Sequence, residues 1–187
     1  MSTTLVDVQI AEDQLIEAAL EGNRDAFGEL VLMHYQGVIN VVYRLGGEMQ
    51  LAEDVAQETF IRVWTKLHTY RRVGSFRSWV YRIATNAALD VFRRRKEEVD
   101  IEELPLSSPD SGVEQNLIRR QQAEIVRQAV LDLPPASRSV LVLREYEGLS
   151  YQEIADSLEI PVGTVMSRLA YAREKLKQEL SRQMEGS

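Results

Sequence analysis

With 187 residues, 44% of them apolar, and only ten glycines and five prolines, the chain has the composition of one or two small, mostly helical globular domains. It contains no cysteine, which excludes disulfides, thiolate metal sites and a cysteine nucleophile, and fits a reducing cytoplasm. No apolar run approaches the roughly 18 residues that span a bilayer, and the acidic start, MSTTLVDVQIAEDQ, lacks the charged-then-apolar order of a signal peptide, so membrane insertion is not expected.

The net charge of −7 is unevenly spread: residues 97–118 carry seven acids and no base, whereas residues 69–96 carry eight bases against Asp90 alone. A local cationic excess of this kind is an electrostatic footprint for a polyanion, although a solvated basic helix end has the same composition.

In chain order, a helix over 13–20 leads through Gly22-Asn23 into a second over 25–45. There Phe27, Leu30, Val31, Tyr35, Val38, Ile39, Val42 and Leu45 recur at core-facing spacing, and Gly46-Gly47 closes the helix. A third helix spans 51–67. At 100° per residue, Ala52, Val55, Ala56, Phe60, Val63, Trp64 and Leu67 fall on one broad side and Asp54, Gln57, Glu58 and Thr65 on the other. Ile61 lies in the middle of the polar side, which reads as the centre of a small docking surface.

After a loop over 68–74, a helix over 76–95 places Phe76, Val80, Ile83, Ala84, Ala87, Leu89 and Val91 toward a core, with Arg77, Arg82, Asn86 and the terminal arginines elsewhere. Trp79 and Tyr81 suit either the core or stacking on unpaired bases, since any base offers a π-face. The stretch EEVDIEELPLSSPDSGVE then reads as a flexible acidic linker. A helix over 117–133 stops at Pro134-Pro135, and another over 136–145 precedes Gly148.

The most specific local pattern is LSYQEIADSLEIPVGTVMSRLAYAREKL at 149–176. Ser150 and Glu153 form a capping box, Pro161 breaks the first helix and opens the next, and Val165, Leu169, Ala172, Leu176 and Leu180 make a single apolar stripe. The other face offers Gly163, Thr164, Ser167, Ala170 and Tyr171, flanked by Arg168, Arg173 and Lys175. Small and hydroxyl side chains allow close approach to base edges, and cations neutralise phosphates. This is the pattern of a helix-turn-helix; an ordinary helical hairpin shares it. The expected architecture is all-α: two small helical domains, 10–96 and 117–184, joined by a flexible acidic linker over 97–116.

No catalytic constellation accompanies these elements. There is no phosphate-cradling glycine loop, HExxH or GxSxG, and His34 and His68 stand apart without metal-ligand spacing, so neither enzymatic activity nor a cofactor is expected. Acid–base work by Asp54 and Glu58 has no supporting partner in the sequence.

Four blocks in order, DAFGELVLMHYQGVINVVYRL, LAEDVAQETFIRVWTKL, FRSWVYRIATNAALDVFRRRK and LPPASRSVLVLREYEGLSYQEIADSLEIPVGTVMSRLAYAREKL, resemble an extracytoplasmic-function (ECF) sigma factor, the minimal two-domain branch of the sigma-70 family of bacterial transcription initiation factors. The resemblance implies that 10–96 is a region 2-like bundle and 117–184 a region 4-like helix-turn-helix domain.

It also implies the partners. Core RNA polymerase would be held through the clamp helices of its largest subunit by Asp54, Gln57, Glu58 and the adjacent Ile61, with a further contact to the flap of the second-largest subunit. Promoter DNA would be read and opened at the −10 element by Arg71, Arg72, Arg77, Trp79, Arg82, Asn86, Arg93 and Arg94, with Asn86 at the pocket for an extruded base. The −35 element would be read in the major groove by Thr164, Ser167, Arg168, Tyr171, Arg173 and Lys175. Many family members carry basic or aromatic residues where this chain has Met166, Ala170 and Tyr171, so a −35 sequence of its own is expected. An anti-sigma factor covering these faces is a further implied partner, and the implied site of action is the cytoplasm, with retention at the membrane through such a partner. Charge complementarity between the acidic linker and residues 69–96 permits a closed free state. The alternative reading is a free-standing helix-turn-helix regulator that binds an operator without polymerase, which has no use for 51–96; a protein that only holds other factors is a third.

Overall fold

In a computed structural model, which describes residues 2–72, 74–99 and 114–185, the chain folds into eight α-helices with no strand among the described residues. Helices α1 (Ser2–Leu20), α2 (Arg24–Gly46), α3 (Met49–Lys66) and α4 (Phe76–Val99) form the first domain, and α5 (Glu114–Leu131), α6 (Pro135–Leu141), α7 (Tyr151–Leu158) and α8 (Val162–Glu185) the second. Most of the expected acidic linker lies outside the described residues.

Local chemistry accounts for the boundaries. The Asn23 side chain caps α2, accepting from the Asp25 and Ala26 amides at 3.0 and 3.1 Å. Gly47 ends the same helix with φ of 78°, and its N–H donates to the Tyr43 carbonyl at 2.6 Å. Helix α1 begins at Ser2 rather than near residue 13, and is pinned to α2 by a buried pair in which His34 Nε2 lies 2.7 Å from Glu12 Oε1. His34 therefore does not stand apart, as its sequence neighbours suggested; its partner is 22 positions away.

The helix expected over 136–145 is shorter and changes its winding. After α6, residues Val142–Tyr146 adopt a π turn, and Leu149 N–H reaches back to the Leu143 carbonyl at 3.1 Å. A short 3₁₀ turn, Leu67–Thr69, follows α3 where a loop was expected.

The apolar stripes meet as the periodicity predicts. Leu30, Val38, Val42 and Leu45 of α2, Ala52, Val55 and Val63 of α3 and Phe76, Val80 and Ala84 of α4 are buried together. In the second domain Val140, Leu143, Leu149, Ile154, Val165, Leu169 and Ala172 do the same. Trp64, Leu89 and Val91, expected on core-facing sides, are only half-buried.

The buried side chains of both domains form one connected cluster. Arg138 is the bolt between them: its guanidinium donates to the carbonyl of Leu45 at the end of α2, and to those of Leu131 and Leu133 at the end of α5. Two sets of otherwise orphaned helix-terminal carbonyls thus share one cation, whose pKa burial lowers. Beside it the Arg44 guanidinium lies 4.2 Å from the centre of the Tyr146 ring.

Candidate functional site

Three surfaces gather the residues singled out by sequence. The first is the outer face of α3. With Leu51, Ala52, Val55, Ala56, Phe60 and Val63 buried, the 3.6-residue period turns Asp54, Gln57 and Glu58 to solvent. Ile61 follows on the same face and is 61% exposed. Each carboxylate has one local partner: Gln50 Nε2 donates to Asp54 at 3.4 Å, and Arg62 Nε to Glu58 at 2.8 Å. Both partners are solvent-accessible and exchangeable, so the face keeps its acidic character for an incoming basic surface.

The second surface runs along α4. Trp79, Arg82, Asn86 and Arg93 follow at steps of three, four and seven and form one stripe. Asn86 is exposed, and Arg93 donates to Asp90 at 3.1 Å. Trp79 is half-buried in an aromatic cluster, its ring centre 5.2 Å from that of Tyr70 and 5.7 Å from that of Phe76. Tyr81, which the sequence left open between core and base stacking, is core: it is 3% exposed, and its hydroxyl donates to Glu147 Oε2 at 2.6 Å.

Several cations of the basic stretch are engaged by distant acids. Arg72 donates to Glu17 Oε1 of α1 at 2.9 Å, Arg82 to Glu159, and Arg95 to Glu48 at 2.5 Å. Arg71 turns back onto the His68 carbonyl at 3.2 Å, Arg77 is half-buried, and Arg94 is exposed. The free cationic excess is therefore smaller than the composition of 69–96 suggested.

The third surface is the outer face of α8. The helix-turn-helix forms as its sequence dictates. Ser150 Oγ accepts from Glu153 N–H at 3.2 Å while Glu153 Oε2 accepts from Ser150 N–H at 2.8 Å, α7 ends at Glu159 with φ of 53°, and Pro161 precedes α8. Val165, Leu169 and Ala172 are buried, which leaves Ser167 and Tyr171 outward and Thr164 and Arg168 half-exposed. Lys175 Nζ lies 5.9 Å from the Tyr171 ring centre. Arg173 is held by Glu145 through two hydrogen bonds of 2.5 and 3.0 Å, which raise its pKa. Met166 is also outward, at 54% exposure, an apolar residue on the face expected to read bases.

Between the second surface and the helix-turn-helix lies an open groove of 580 Å³ whose walls include Tyr70, Arg71, Trp79, Arg82, Ile160 and Pro161. Across it Ser75 Oγ donates to Glu153 Oε1 and Ser157 Oγ to the Ser78 carbonyl, each at 3.0 Å. Sequence reasoning missed Ser75, Glu147, Ser157 and Glu159 as members of this junction. Their partners lie 66 to 79 residues away, and no local spacing reports such a pairing.

The order of the segments that carry these surfaces is matched by known proteins. The family description Sigma-70 region 2 fits residues 30–98 and Sigma-70, region 4 fits residues 123–176. The RNA polymerase sigma-H factor of Pseudomonas aeruginosa is 36% identical, with 92% of this chain and 95% of that protein covered. The chain belongs to the sigma-70 family. Among ECF relatives of this sigma factor, SigW of Bacillus subtilis is 34% identical over 88% of this chain and 94% of its own length.

The fold of this sigma factor is similar to that of CnrH, solved in complex with the cytosolic domain of CnrY: TM-score 0.72, 28% identity, 92% of this chain and 98% of that one covered. The Bartonella quintana sigma factor RpoE, solved with the anti-sigma factor NepR, shares the fold at TM-score 0.67 and 22% identity, with 83% of this chain and 96% of that one covered. Members of the family are initiation factors rather than enzymes, so the sigma factor needs no catalytic centre. No group of acidic and histidine residues suited to a metal occurs among the described residues, and no described helix is long and apolar enough to cross a membrane.

Proposed function

We propose that this sigma factor docks on core RNA polymerase through Asp54, Gln57, Glu58 and Ile61 and aims it at promoters by reading two elements with two domains. The clamp helices of the largest subunit are the partner of the α3 face, and the flap of the second-largest subunit that of the second domain. The α4 stripe and its approach, with Arg71, Arg72, Arg77, Trp79, Arg82, Asn86, Arg93 and Arg94, read and open the −10 element. Capture of an extruded base near Asn86 offsets an unstacking cost of a few kcal/mol. The α8 face, with Thr164, Ser167, Arg168, Tyr171, Arg173 and Lys175, enters the major groove at the −35 element.

The observation that carries this reading is the outer face of α3: an exposed isoleucine framed by two carboxylates and an amide on a helix whose other side is largely buried in the core. A regulator working without polymerase has no use for that face. Action in the cytoplasm and control by an anti-sigma factor, including one that holds the chain at a membrane, belong to the same reading; the complexes solved for CnrH and RpoE support it by similarity.

Run-off transcription with purified core polymerase on genomic template, followed by start-site mapping, tests the proposal. The expected result is a set of start sites that require this chain. A gel shift in which the isolated chain binds one duplex operator tightly, with no such start sites, would support the regulator instead.

A further inference from the structure

Several polar groups on the outer face of α8 already have a local partner. Ser167 Oγ donates to the Thr164 carbonyl at 3.1 Å, Lys175 Nζ lies over the Tyr171 ring, and Arg173 is held by Glu145. Met166 differs in kind: it is a long apolar side chain, 54% exposed, set between buried Val165 and exposed Ser167. A lone exposed apolar residue is ordinary on a protein surface. This one stands in the second turn of α8, at the end of the helix that a helix-turn-helix presents to base edges.

Val165, Leu169 and Ala172 face inward at 0–1% exposure, so the 100° step turns Met166, Ser167 and Ala170 outward together. Gly163, one turn before Met166, faces open space, and Ala170, one turn after it, adds only a methyl. Neither neighbour on that face covers the thioether.

The chemistry of the major groove then narrows what Met166 can meet. Guanine, adenine and cytosine present donors and acceptors there, and thymine alone adds an apolar group, its C5 methyl. A thioether has no proton to donate and accepts weakly, so laying it on a polar base edge removes water without replacing its hydrogen bonds. Laid on a thymine methyl, it takes apolar surface out of water on both sides. Its unbranched stem can adjust to the position of that methyl. Half-exposed Arg168 and exposed Lys175 flank the face and suit phosphates, which fix register but carry no base identity.

We infer that Met166 is a specificity residue of the second domain: its side chain packs on the C5 methyl of one thymine in the −35 element and so fixes an A·T pair at that position. The inference rests on the −35 assignment proposed above and names the base chemistry that this face selects.

The test uses holoenzyme reconstituted from the full chain and duplexes of a promoter mapped by run-off transcription. The −35 thymines of both strands are replaced one at a time by deoxyuridine, which removes the methyl and nothing else. Fluorescence anisotropy at one fixed salt concentration reads the affinity of wild type, Met166→Leu and Met166→Ala. Met166 is outside the core, so both variants should fold.

The expected result is one thymine at which loss of the methyl weakens wild type and Met166→Leu about fourfold. Met166→Ala should bind the thymine and deoxyuridine duplexes alike, which is the coupling a double-mutant cycle measures. A −35 element with no A·T pair overturns the inference. So does a deoxyuridine penalty of equal size in wild type and Met166→Ala, since another group then reads the methyl. If no replacement weakens wild type while Arg168→Ala/Lys175→Ala still loses protection of the −35 region, the α8 face stands and Met166 is not its reader. If that variant also protects the region normally, the −35 assignment falls and the inference falls with it.

Discussion

The hydroxyl of Tyr81 donates a 2.6 Å hydrogen bond to the carboxylate of Glu147, tying α4 of the first domain to the residue that follows the π turn of the second. Burial, more than the bond itself, raises the pKa of this hydroxyl, and the bond to Glu147 raises it further. Both causes keep Tyr81 in its protonated form, the donor of this pair. It reaches Glu147 by passing over Gly37 of α2, where a Cβ would collide with the phenolic oxygen.

That close approach makes the effect of Gly37→Ala run against helix propensity. In an exposed helix interior the change would stabilise by about 1 kcal/mol. Here it should destabilise by about 1–3 kcal/mol, the usual cost of overpacking. Urea unfolding reads the loss, and Tyr81→Phe in the Gly37→Ala background should recover part of it. An additive double mutant would show that the two positions do not meet.

Replacing Asp54, Gln57 and Glu58 together with alanine should leave the fold intact, because all three are exposed and make only local contacts. Each change should shift unfolding stability by no more than about 0.5 kcal/mol. Retention of core polymerase in a pull-down should fall severalfold, and normal retention would remove this face from the docking site.

Asn86→Ala should likewise fold normally, since Asn86 is exposed on α4. Its effect is expected in the opening step: permanganate reactivity of promoter thymines should drop about tenfold or more, with duplex retention by the holoenzyme changed far less. Unchanged reactivity would take Asn86 out of the strand-capture site.

Acid should loosen the helix-turn-helix domain through Glu153. Burial alone would raise this carboxyl; hydrogen bonds from Ser150 and Ser75, with Arg77 nearby, outweigh it and hold the pKa below the ordinary 4.5. A folded-state pKa below the unfolded one means stabilisation that is complete above about pH 4.5 and lost as pH falls through the lowered value. The stability gap between wild type and Glu153→Gln should therefore be widest near neutral pH and close on acidification. A gap that does not change between pH 7 and pH 3 would show that the carboxylate charge is not what caps α7 and holds Ser75.

Much of this molecule is legible in its amino-acid order because helices advertise themselves locally. The Ser150–Glu153 capping box, the Val165–Leu169–Ala172 stripe and the two-sided character of α3 each depend on residues a few positions apart, and the backbone period converts that spacing directly into a face. Outward placement of Asp54, Gln57, Glu58, Ile61 and Asn86 follows from the same arithmetic.

What local spacing does not carry is which face meets which. Whether Tyr81 packs inside or offers its ring to a base depends on Glu147, and how much of the cationic stretch is free depends on Glu17, Glu48 and Glu159. The buried pairing of His34 depends in the same way on Glu12, 22 positions away. The helix faces and the family were set by chain order alone. The closure of one domain on the other was decided only in three dimensions, because a hydrogen bond between residues 66 or more apart leaves no periodic trace along the chain.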